Sequence, residues 1–202
     1  MARCLTRVAF ALLATVATVA APPASAQDTY RQPPAPIAQI LDAERTPLVG
    51  VSPDRTNMLL LERYEMPSIS ELAAPEARLA GLRINRSTNA SSRAPTYKGL
   101  RLQRIGEGAT PQPERRIALP PGARVWSTSW SPDSRRVAFW MMSNSGVSLW
   151  LADVASATAR EVGPVALNGA LGVPCSWIDS SKLLCRLSPS NRGAPPRGVP
   201  DS

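Results

Sequence analysis

The 202-residue chain carries 23 Lys and Arg against 15 Asp and Glu, a net charge of +8 at pH 7, and it contains no histidine. Without an imidazole to pass the serine proton to a leaving group, an ordinary Ser-His-Asp triad is excluded. The basic residues are scattered, the longest runs being Arg115-Arg116 and Arg135-Arg136 with no interleaved aromatics, so nucleic acid is not an expected partner.

Residues 1–26 read as a signal peptide. Arg3 and Arg7 give a positive start, Val8 to Ala21 an apolar stretch, and Ala24-Ser25-Ala26 a small-x-small cleavage pattern. The apolar stretch is shorter than the roughly 20 residues that cross a bilayer as a helix. Gln27, not Cys, follows the cut, so no lipid or stable membrane anchor is expected. The mature chain is therefore expected to be periplasmic or secreted, with the charge reduced to +6 once Arg3 and Arg7 leave.

Residues 27–46 form a proline-rich leader in which Ile37, Ile40 and Leu41 share one face of a short helix. Leu48 to Val51 and Met58 to Leu61, separated by Ser52-Pro53-Asp54, read as strand, turn and strand. A helical insertion is expected over residues 68–81. Ser68 and Glu71 have capping-box spacing, so a helix starts near Ile69 and runs to Ala74, and Pro75 opens a second one closing near Gly81. Residues 85–96 read as a polar loop, and strands resume at Gly99 to Ile105 and Arg116 to Leu119.

Four strand-like runs then fit into residues 124–162: Val125 to Trp130, Arg136 to Met142, Val147 to Val154 and Ala159 to Val162. That is the size of one four-stranded propeller blade. A second Ser-Pro-Asp turn, Ser131-Pro132-Asp133, joins the first two runs. Proline presets the backbone angle, while serine and aspartate bond to nearby backbone. A further hairpin is expected around Ser180, flanked by Cys175 and Cys185. In an oxidising compartment that pair is either a structural disulfide or two small buried thiols. Residues 47–187 thus read as an all-β, incomplete β-propeller, with a β-sandwich of similar strand spacing as the alternative. Residues 188–202 read as a proline- and glycine-rich linker or truncated end.

No site chemistry is evident in this chain. There is no Gly-x-Ser-x-Gly elbow, no glycine-rich phosphate loop and no His or Cys cluster with metal-ligand spacing, so neither cofactor nor metal is expected. The only lysines, Lys98 and Lys182, lie in no Ser-Lys motif, and the carboxylates fall in turns or polar faces.

Several segments resemble a known family. Tyr30 to Pro34, Ile40 to Ala43 and above all Met66 to Asn85 are similar to the start of the glutamyl-endopeptidase branch of the prolyl oligopeptidase family. Trp130 to Asp133, Trp150 to Val154, Trp177 to Asp179 and Ser190 to Gly193 keep the same order. The resemblance implies an amino-terminal propeller that gates peptide access to a carboxy-terminal α/β-hydrolase domain cleaving after glutamate. This chain would then be the non-catalytic propeller portion, with the hydrolase domain as its missing partner and peptides as substrates of the whole. A non-enzymatic envelope module that binds protein, or an inactive truncated remnant, is the alternative.

Overall fold

The computed structural model describes residues 33–64, 66–106, 112–191 and 193. The proposed signal peptide and most of the 188–202 linker lie outside the described residues. The chain divides into two units, residues 1–43 and 44–202. In the first, α1 (Ala35–Leu41) starts beside Pro34 and Pro36, where the missing N–H costs nothing, and buries none of its residues.

Among its described residues the second unit is all-β with antiparallel ladders between its named strands, apart from one helical turn. Strands β1 (Leu48–Val51), β2 (Asn57–Arg63), β6 (Tyr97–Arg104) and β7 (Arg115–Arg116) form one four-stranded group in which each strand pairs with the next. Strands β8 (Val125–Trp130), β9 (Arg136–Met142), β10 (Val147–Asp153) and β11 (Ala159–Glu161) form a second, a plain meander. Among the described residues the two groups connect in the sheet only through the pair Tyr97↔Val125. A hairpin, β12 (Cys175–Asp179) and β13 (Lys182–Cys185), follows as a separate sheet.

The groups are stacked as layers, and the side chains of β9 show it. Val137 and Phe139 belong to a core shared with Leu59, Leu61, Leu100 and Leu102 of the first group. Ala138 and Trp140 face the other way, into a core shared with Cys175, Trp177 and Leu183 of the hairpin. All four β9 residues are 0% exposed, so this strand is buried on both faces although its ladder is antiparallel. Such a strand carries an unbroken apolar run instead of alternating residues. At the two ends of the stack apolar side chains stand open. Leu48, Val49 and Val51 are about half exposed on β1, and Ile178 and Leu184 are each 64% exposed on the hairpin.

The insertion between β2 and β6 departs from expectation. The capping box is present: Ser68 Oγ accepts from Glu71 N at 3.2 Å, and Glu71 Oε2 accepts from Ser68 N at 2.9 Å. The helix it starts, α2, covers only Ile69–Leu72. No second helix follows Pro75. Strands β3 (Ala77–Leu79) and β4 (Leu82–Asn85) form a hairpin instead, joined by β5 (Ala90–Ser91) in a three-stranded sheet. Ala80 and Gly81 both have positive φ, 47° and 84°, the backbone of a tight two-residue hairpin turn. Glu76 then reaches Arg83 at 3.0 Å and Arg78 at 3.3 Å, a charge cluster that the hairpin assembles. The 85–96 segment is likewise not a plain polar loop, because Thr88 and Ala90 are buried and Gly169 N donates to Asn89 O at 2.7 Å.

Candidate functional site

Two Ser-Pro-Asp turns occupy the same place in the two four-stranded groups, between first and second strand. In one, Ser52 Oγ donates to Asp54 Oδ1 at 2.6 Å and accepts from Asn57 N at 3.0 Å, while Arg55 N donates to Ser52 O at 2.8 Å. In the other, Ser131 Oγ donates to Asp133 Oδ1 at 2.6 Å and accepts from Arg136 N at 2.9 Å, while Ser134 N donates to Ser131 O at 2.9 Å. Arg55 and Ser134, which stand where glycine is common, have φ of 60° and 62°. Both serines are essentially buried, and each hydroxyl is satisfied within its own turn.

The turns touch one another. Asp54 N donates to Ser134 Oγ at 3.0 Å, and Arg136 Nη1 donates to Ser180 O at 3.2 Å in the hairpin beyond. Three successive β units therefore meet at corresponding turns along one rim. The Ser52 hydroxyl, then the Thr56 N–H, hold the Asp54 carboxyl down at about 2, and Ser131 and the Arg135 N–H lower Asp133 in the same way. These aspartates are turn residues held ionised, unsuited to general acid work near neutrality.

Of the residues singled out from the sequence, Cys175 and Cys185 lie opposite each other in the β12–β13 register and are joined, with S–S 2.07 Å and Cα–Cα 4.1 Å. The bridge packs in the same core as Trp126 and Trp140. Lys98 lines a small cavity of about 390 Å³ with Arg116 and Tyr64, and Lys182 pairs with Asp179 at 3.3 Å. Nothing brings the two lysines together.

A larger cavity, about 1270 Å³, had no signature in the sequence. It is lined by the insertion, by the chain around Arg45, by the junctions at Arg63 and Arg124, and by the β9–β10 loop at Met142 to Asn144. Glu71 is ion-paired with Arg124, and Glu76 with Arg78, Arg83 and Arg93. Burial, which leaves the Glu76 side chain 8% exposed, pushes its carboxyl up, but contacts from Ser92, Arg78, Arg93 and Arg83 outweigh this and hold it below its ordinary value. Arg45, Arg63 and Arg86 line the same cavity, and their side chains have no ion pair or hydrogen bond among the described residues. They come from three separate segments, so no local motif could have announced them. Among the described residues, no group of three His, Cys, Asp or Glu is placed to hold a metal, and no helix is long and apolar enough to cross a membrane.

Over 182 residues, 86% of its length, the chain is 36% identical to a rice (Oryza sativa subsp. japonica) protein described as a probable glutamyl endopeptidase, chloroplastic. It is also 36% identical over 177 residues to the Arabidopsis thaliana protein of the same description. The chain is thus similar to two proteins described as glutamyl endopeptidases. It spans 19% and 18% of the lengths of these two relatives, so the similarity covers a limited portion of each. No protein-family model matches it.

Proposed function

We propose that this chain is the amino-terminal β-propeller portion of an exported, prolyl-oligopeptidase-type serine peptidase with glutamyl specificity. In the whole protein it admits peptides to an α/β-hydrolase domain, and it is non-catalytic by itself. The observation that carries the reading is the repeated unit. Two four-stranded antiparallel groups share the same Ser-Pro-Asp turn in the same position, they stack face to face, and a third unit begins with the β12–β13 hairpin. Four-stranded sheets stacked about a common axis are the building principle of propellers, and a sandwich has no reason to repeat the turn in register. The half-open apolar ends, Leu48 to Val51 and Ile178 to Leu184, are the surfaces on which further blades of a longer chain would sit.

The absence of histidine from the sequence supports a non-catalytic role, because the proton relay of the triad must then come from elsewhere. The disulfide and the signal-peptide pattern of residues 1–26 favour an oxidising compartment and hence export.

An immunoblot of the native product, with an antibody to residues 124–187, tests the proposal. A band much larger than 21.6 kDa is expected. A band at or just below that mass would replace it with a free-standing binding module or remnant. Glutamyl-peptide hydrolysis by the purified chain alone would overturn the non-catalytic assignment.

A further inference from the structure

We infer that the 1270 Å³ cavity between the insertion and the main sheet is a binding site for acidic peptide segments, with Arg45, Arg63 and Arg86 receiving their carboxylates. The inference rests on the peptide-handling reading above and assigns it a ligand class and a place. Five arginines line this cavity against two glutamates. Both glutamates are already engaged, Glu71 by Arg124 and Glu76 by Arg93 with its two hairpin neighbours. The remaining three guanidiniums are free among the described residues, so the cavity presents uncompensated positive charge. Guanidinium binds carboxylate in a two-pronged geometry, with charge-assisted hydrogen bonds stronger than neutral ones.

Shape and the rest of the lining favour a peptide over a small anion or a nucleic acid. The volume exceeds the roughly 300–1,000 Å³ of ordinary small-ligand pockets. Leu48, Met66, Leu72 and Met142 give it apolar wall, and Tyr64 and Tyr97 add rings, so a chain alternating apolar and acidic side chains finds both kinds of partner. With Glu71 and Glu76 already paired, the free positive charge is confined to three guanidiniums from separate segments, which suits isolated carboxylates better than a densely charged phosphate backbone. The insertion is what closes the cavity on one side. A four-stranded unit without it would have an open sheet face there.

The test uses the full chain and a short fluorescent peptide carrying several glutamates, with a glutamine-for-glutamate twin, read by anisotropy. We expect the glutamate peptide to bind about tenfold more tightly, the scale of one desolvated charge-assisted contact. The preference should shrink as salt is raised from about 0.05 to about 0.5 M. Arg45→Gln, Arg63→Gln and Arg86→Gln combined should abolish the preference, whereas Arg160→Gln outside the cavity should leave it intact, with both variants unfolding at the temperature of the parent. Equal affinity for the two peptides overturns the inference, as does a preference that survives the triple change. Tighter binding of an oligonucleotide of matched charge overturns it in favour of a general polyanion surface. None of these outcomes bears on the propeller reading, which is decided by the mass of the native product.

Discussion

Phe139 and Trp140 are sequence neighbours whose replacement tests the layered architecture directly. Both are 0% exposed, but Phe139 packs into the core shared with the first four-stranded group and Trp140 into the core shared with the disulfide hairpin. A strand on the face of a single sheet would bury only one of two adjacent side chains, and the other replacement would be nearly neutral. Here each truncation to alanine empties a fully buried aromatic site, which costs about 3–5 kcal/mol. For a chain of this size that is a fall of roughly 6–20 °C in Tm. Trp140 Nε1 is buried without a hydrogen-bond partner, so part of its loss is offset and Trp140→Ala should fall at the lower end of that range. The double replacement removes about 6–10 kcal/mol, comparable with the whole stability of a domain, and should leave the chain unfolded in water. Urea unfolding followed by far-ultraviolet circular dichroism is the suitable assay, because Trp140 is itself one of five tryptophans that would report fluorescence. If either single replacement costs less than about 1 kcal/mol, β9 is not sandwiched and the stacking argument fails.

Ser131→Ala leaves the part-buried N–H of Arg136 without its 2.9 Å acceptor and should cost about 1 kcal/mol; Ser52→Ala should behave the same way through Asn57, and unequal effects would contradict the equivalence of the two turns. Acid should destabilise the fold. Asp54 drops from 3.8 to about 2 on folding and Asp133, Asp153 and Asp179 are lowered too, so the unfolded chain binds more protons below pH 4. The stabilisation these carboxylates give is complete above their unfolded values and is lost as pH falls from about 4 to about 2, which a Tm series across that range would detect and which Asp54→Asn should flatten. Replacing Cys175 and Cys185 by alanine opens a loop spanning a sequence separation of 10, worth about 3 kcal/mol of unfolded-chain entropy, and reducing agent should lower the Tm of the parent but not of that variant.

Much of the strand layout was legible because its signals are local. The apolar runs at Met58 to Leu61 and Val137 to Trp140, the Ser-Pro-Asp turns and the Ser68–Glu71 capping box each depend on a few adjacent residues, and all appear as elements of the fold. The stretch from Pro75 to Gly81 is less legible, because its local signals and its pairing disagree. Proline after a capped turn suits a new helix, but Ala77, Leu79, Leu82 and Ile84 pair across the Ala80-Gly81 turn, Ala77 with Ile84 and Leu79 with Leu82. The buried carboxylate of Glu76 gathers arginines from both sides of that turn.

By itself the sequence determined that the described chain is mainly antiparallel β-structure, where its turns fall, and that it lacks the histidine of an ordinary triad, since each follows from backbone chemistry or composition within reach of neighbouring residues. Only the tertiary structure decided that β9 is buried on both faces, that the turns of successive units bond to one another, and that Arg45, Arg63 and Arg86 converge on one cavity. Burial and convergent charge are properties of residues far apart in the chain, and they exist only once the layers have packed.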